Sequence, residues 1–286
     1  MNYIDDPILA IERQLQKAFR NGHDIQLHVH PQWVNAIYSK NKWNVDFSNW
    51  RLGDFNVAQN YTIKDMLSEG KSVIENLLQQ IEPEYKCEII RAGGYNIMPS
   101  EEVYYAMLEL GLKVDSSVYP GGFETGELSK YDYTKAPSDK DSWLVSPTDF
   151  AKESSNSYVR EVPIFALNQR RFRKINIDRV KSAYKNKKSS INTIKSKTIN
   201  RSKLNKIKYL FEKEAFTWDF CLFSYGMHRK YFKYINKNLL NKRTNFVLIG
   251  HPKSFTSDRA FIRMIHLAKR NNYSFVTLKS YYERRK

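Results

Sequence analysis

The chain has 286 residues, room for one large α/β domain or two small ones, and its 41% hydrophobic content can fill a sizeable core. Its two cysteines, Cys87 and Cys221, are far apart and exclude a disulfide scaffold; no apolar run reaches transmembrane length and no signal-peptide pattern opens the chain. A reducing, cytoplasmic location is the expectation.

The net charge of +17 is unevenly placed. Between Arg170 and Lys213 there are sixteen Lys/Arg residues against two acids, Asp178 and Glu212, so this stretch carries +14 of the total. The rest is nearly neutral, and the basic pI describes one segment rather than the main cleft. Aromatic content of 14% suits sugar-handling clefts, although large cores use such rings more often.

In chain order, Asp6 is the expected N-cap of a first helix, with Pro7 at its first position. Ile8, Ile11, Leu15 and Phe19 recur at helical spacing, and Asn21-Gly22 supplies the stop. A strand follows at Ile25 to His30, in which Gln26, His28 and His30 share one face and Ile25, Leu27 and Val29 the other. A long helix runs from Ile63 to Leu78. Glu88-Ile89-Ile90 is a strand entering Arg91-Ala92-Gly93-Gly94. Ser100 is the expected cap of a helix through Leu110, and Leu112 to Val114 form a short strand ending at Asp115.

Residues 120 to 157, rich in Gly, Ser, Asp, Lys and Tyr, are expected to be a long loop region able to line a cleft. Val162-Pro163-Ile164 is expected as a short strand, and Phe246 to Ile249 as one buried on both faces, ending at Gly250-His251-Pro252. A helix near Ser257 to Lys269 and a last strand from Ser274 to Leu278 close the series. Helices alternating with short apolar strands predict an α/β fold with parallel strands. The polar chemistry falls where strands end, at His28/His30, Arg91, Asp115 and His251, the place where parallel α/β barrels build their sites.

His28 and His30, at i and i+2 of a strand, point the same way about 7 Å apart along the chain and can converge on one Zn²⁺-like ion. The alternative is a hydrogen-bonded pair on a polar face. A catalytic zinc normally has three protein ligands, and a carboxylate not identified by the sequence should be the third. Arg91 can hold a carboxylate through its planar fork, with Asp115 as partner, or form a structural ion pair at the sheet rim. His251, held between Gly250 and Pro252, is a candidate general acid for a leaving amine. His23, His228 and His266 are assigned no role.

Five stretches, taken in order, resemble the polysaccharide deacetylase family, in its bacterial branch associated with surface-polysaccharide biosynthesis: Gly22 to Pro31, Arg91 to Tyr95, Asp115 to Val118, Glu161 to Ile164, and Gly250-His251-Pro252. The resemblance implies a distorted (β/α) barrel holding a divalent metal, usually zinc, that removes an N-acetyl group from an amino sugar. The substrate would be an N-acetylated glycan or a nucleotide- or lipid-linked sugar. His28 would be the first histidine ligand and His30 the second, although the family usually spaces them four apart. Arg91 would orient the catalytic base, Asp115 would contact that arginine, and His251 would be the general acid.

The family's first motif, an aspartate pair on the first barrel strand, has no counterpart. Asp5-Asp6 lies too close to His23 for the intervening strands and helices. The chain is therefore expected to start after that motif, as a shortened product or a catalytically inactive, glycan-binding relative. The basic segment from 170 to 213 is read as a helical insertion within a single domain. It is either a solvated surface or a contact for anionic polysaccharide or an anionic membrane surface, which would make the protein membrane-peripheral; nucleic acid is disfavoured because no recognition motif is present. A basic binding protein on an α/β scaffold is the third functional reading.

Overall fold

The computed structural model describes residues 6–55, 60–186 and 203–285; Asp5 and the middle of the basic segment, 187–202, lie outside them. Helix α1 (Pro7–Arg20) starts where expected: the Asp6 carboxylate accepts from the Ile8 amide at 2.8 Å. Strand β1 (Leu27–Val29) follows and, after it, a hairpin of β2 (Ile37–Ser39) and β3 (Lys42–Asn44). Helix α2 (Ile63–Leu78) opens with a reciprocal capping box between Thr62 and Asp65. Strand β4 (Ile89–Ala92), helix α3 (Glu101–Glu109) and strand β5 (Val114–Asp115) come next. The Ser100 hydroxyl donates to the Pro147 carbonyl and leaves the start of α3 uncapped.

The 120–157 stretch is not a loop. It folds into two antiparallel hairpins, β6 (Phe123–Thr125) with β7 (Lys130–Asp132), and β8 (Trp143–Ser146) with β9 (Asp149–Glu153). Trp143 and Phe150, both fully buried, anchor the second, where the Trp143 indole donates to the Phe150 carbonyl at 2.9 Å. Aromatic and β-branched residues among the polar ones supply the pleated, half-buried face that strand pairing needs.

Strand β10 (Arg160–Glu161) and β11 (Ala166–Arg170) lead into the basic segment, which holds α4 (Ile177–Asn186) and α5 (Lys203–Phe211) before β12 (Lys213–Thr217) returns. β11 and β12 pair antiparallel, and Arg170 is the register partner of Lys213. The chain thus leaves and re-enters the β11–β12 pair at one point. Helices α6 (Tyr225–Asn238), α7 (Arg259–Arg270) and α8 (Leu278–Glu283) complete the chain. The expected strand from Ser274 to Leu278 does not form. Thr277 instead caps α8 by accepting from the Ser280 amide.

The main sheet has the order β1-β4-β5-β10-β8-β9, with β1, β4, β5 and β10 mutually parallel. The segment after β10 bridges Ile164 to Val247, and Ile249 bridges Asp219, both in parallel sense. Residues 246–249 thus make isolated bridges rather than a full ladder. They separate two cores: Val247 and Ile249 belong to the one beneath α2 and the sheet, while Phe246 and Leu248 pack on the one formed by Trp218, Tyr231, Phe232 and Met264. This segment has packed neighbours on both faces, as its apolar composition predicts. No described helix is long and apolar enough to cross a membrane.

Candidate active site

The strand ends gather one cluster. β1 and β4 are in register with His28 opposite Arg91 and Val29 opposite Ala92, so the His28-to-Pro31 and Arg91-to-Tyr95 stretches emerge side by side. His28 Nδ1 lies 2.9 Å from the Arg91 carbonyl oxygen, which can only accept, so Nδ1 carries the ring proton. The His28 Nε2 lone pair then faces His30 Nε2 at 3.1 Å, and His30 Nδ1 is 3.2 Å from the Gln32 amide nitrogen. The chain of donors is self-consistent with both rings neutral: Gln32 to His30, His30 to His28, His28 to Arg91. Burial lowers both histidine pKa values, that of His30 to about 4, and the charges of Lys253 and His251 act in the same direction.

The pair fits one edge of a metal site. Two nitrogens bound to a tetrahedral zinc at about 2.0–2.1 Å sit roughly 3.3 Å apart. The Arg91 carbonyl holds His28 in the tautomer a ligand needs. His30 needs its proton on Nδ1, and a half-turn of the Gln32 amide would present the Gln32 carbonyl oxygen there; that oxygen is now buried without a partner. Among the described residues, no group of three His, Cys, Asp or Glu side chains is placed to hold an ion. The expected carboxylate ligand is therefore not identified.

Arg91 does not fork onto Asp115. Its Nε donates to the Ser116 carbonyl at 2.7 Å and its terminal nitrogen to the Ser116 hydroxyl at 2.9 Å. Strand register explains this: Asp115 lies opposite Ile90, one residue before Arg91, and neighbouring residues on a strand point to opposite faces. Asp115 instead pairs with Glu161, its register partner on β10, and both are fully buried. It accepts from the Ser117 hydroxyl at 2.6 Å and amide at 3.0 Å. Burial pushes both carboxyls up, Glu161 well up with Asp115 reinforcing it, so the pair resists carrying two negative charges.

His251 follows the Ile249 bridge, half-buried between Gly250 and Pro252. A Cβ on Gly250 would lie 2.4 Å from the Phe220 ring and 2.7 Å from the Cys221 sulfur, so glycine is required for this close approach. Burial lowers the His251 pKa and the nearby Asp219 carboxylate opposes that shift. Asp219 itself is fixed by accepting from the Cys221 and Leu222 amides at 2.8 and 2.9 Å. The Tyr95 hydroxyl bonds to Thr217, within the fields of Asp219, Arg91 and Arg179.

Asp219, Tyr95 and Arg179 were not singled out from the sequence. Asp219 had a signal, since Ala215-Phe216-Thr217-Trp218 is another short apolar run ending in an acid. Arg179 had none, being one of sixteen cations. His228 is fully buried and accepts the Trp218 indole proton at 3.0 Å.

Beyond the pair, the β2–β3 hairpin presents exposed rings. Trp33 and Trp43 have centroids 5.7 Å apart, and Tyr38 and Trp43 5.2 Å. Comparison with models of protein families, with curated proteins and with solved structures gives no significant match.

Proposed function

We propose that the cleft is a deacetylase-type hydrolytic site that removes an N-acetyl group from an amino sugar, on a barrel-like arrangement of the parallel strands. The observation that carries this reading is the His28–His30 pair, with Nε2 atoms 3.1 Å apart, close enough to His251 to feel its charge, as His251 feels that of Asp219. His28 and His30 would hold a divalent metal, most simply zinc. When bound, it would polarise the acetyl carbonyl and acidify a water.

His251 is the proton carrier. A general acid must hold a proton before it can give one, and burial keeps this imidazole largely neutral at pH 7. It therefore takes its proton from the attacking water, whose oxygen forms the new bond to the acetyl carbon. It returns that proton to the sugar nitrogen as the carbon–nitrogen bond breaks. Asp219 steadies the imidazolium between the two steps. Arg91, locked onto Ser116, positions the carbonyl that orients His28. The exposed Trp33, Tyr38 and Trp43 rings supply flat apolar faces against which sugar rings can pack.

Acetate release from N-acetylglucosamine oligomers, with zinc supplied, tests the reading. Release by the native chain, with kcat lowered about 10²–10⁴-fold in His251→Gln, supports it. The two-histidine donor set favours a second reading, glycan binding without hydrolysis. Saturable oligomer binding with no acetate released, with and without zinc, would establish that alternative and reject hydrolysis.

A further inference from the structure

The basic insertion reaches the turn that carries His251. Helix α4 packs against the Pro252–Ser254 turn that follows His251. Its start is pinned to the Asp219 loop: the Asn176 amide donates to the Leu222 carbonyl at 2.9 Å, and the Asn176 side-chain oxygen accepts from the Arg179 amide at 2.9 Å. These contacts bring Arg179 into the fields of Asp219, Tyr95 and Glu214. Arg179 is half-buried, and its Nε is shielded from solvent without an acceptor among the described residues.

A guanidinium held this way is costly unless something completes its fork. Asp219 cannot do so fully, because one of its oxygens already serves the Cys221 and Leu222 amides. In the turn that α4 packs against, the exposed Lys253 places a second positive charge that acts on His28, His30 and His251 alike. Arg91 adds to the positive field, although its own donors are occupied by Ser116.

We propose that Arg179 and Lys253 form an anion-accepting subsite beside His251, and that the sugar bound there carries a phosphoryl or carboxylate group near its N-acetyl group. This rests on the deacetylase-type reading for the N-acetyl sugar, but the anion preference can be measured without turnover. The planar fork of Arg179 takes two oxygens of the anion, and the exposed Lys253 ammonium supplies a second positive charge to it. The insertion is then a specificity element as well as a charged surface.

The test is equilibrium binding of three probes to the full chain: N-acetylglucosamine, N-acetylglucosamine 1-phosphate and N-acetylmuramic acid. The native protein is expected to bind at least one anionic probe tenfold or more tighter than the neutral sugar, and which one is favoured identifies phosphoryl or carboxylate. Arg179→Gln should lose most of that preference, Arg179→Lys should keep part of it, and Lys181→Gln, an equal charge change at an exposed position of α4, should leave it intact. Circular dichroism melts check that the variants fold. Equal binding of all three probes, no binding of the anionic ones, or an unchanged preference in folded Arg179→Gln overturns the proposal. His251→Gln keeps the preference if the subsite is as described. A native chain that shows the anion preference but releases no acetate counts against the hydrolytic reading alone.

Discussion

Glu161 and Asp115 face each other as register partners in the centre of the parallel sheet, both fully buried and both with raised carboxyl pKa values. An amide in place of Glu161 removes one of the two acids and can donate to Asp115. Glu161→Gln is expected to change stability by no more than about 1 kcal/mol, whereas Glu161→Ala, which leaves Asp115 short of a donor and opens a cavity, should cost roughly 2–5 kcal/mol. Denaturant melts of the two variants measure this; equal losses would contradict a role for a donor at position 161.

Gly93 sets the position of the histidine pair. A Cβ there would lie 2.5 Å from His30 Nδ1 and 2.7 Å from the Val29 carbonyl, and the second of these is backbone and cannot swing aside. Gly93→Ala should destabilise the fold by about 1–3 kcal/mol and displace the His30 ring. Thermal denaturation gives the first quantity, and proton NMR of the imidazoles gives the second. An unshifted His30 resonance in a fully stable variant would show that the contact is slack.

Asp219 holds the His251 pKa up against burial. Its replacement by Asn removes the opposing charge, so the His251 pKa should fall further. A proton carrier that must start neutral loses activity as pH falls through its pKa. The acid limb of the rate profile is therefore expected to move to lower pH in Asp219→Asn, alongside a lower maximal rate from the unsteadied imidazolium. A shift of that limb to higher pH would refute the assigned relationship.

His228 offers a stability test away from the cleft. Burial lowers its pKa from 6.5 to about 4. Between those values the unfolded chain binds more protons than the folded one, so stability is fully present above about pH 6.5 and is lost as pH falls toward 4. The loss from this residue alone is on the order of 3 kcal/mol. His228→Gln, which can still accept from Trp218, should flatten the acid-side decline in stability, and an unchanged slope would contradict a neutral, buried His228.

The helices and the parallel strand ends were legible because each rests on local signals: Asp6 and Pro7 at α1, Thr62 with Asp65 at α2, apolar alternation at Leu27 and Val29. The hairpins within 120–157 were not, because their strands mix polar residues with anchors such as Trp143 and Phe150, whose burial depends on distant partners. In the cleft, His28, His30 and His251 stood out by chemistry and spacing. Asp115 did too, but one residue of strand register turned it from Arg91 toward Glu161. Arg179 depended on the packing of α4 against a turn about seventy residues later, which no local pattern encodes.

Cobalt(II) titration of the purified chain, followed by visible absorption, tests the His28–His30 centre most directly. One saturable cobalt site per chain is expected, displaced by zinc, abolished in His28→Ala and in His30→Ala, and retained in His251→Gln. Absence of a saturable site, or a site that survives removal of either histidine of the pair, would contradict that centre.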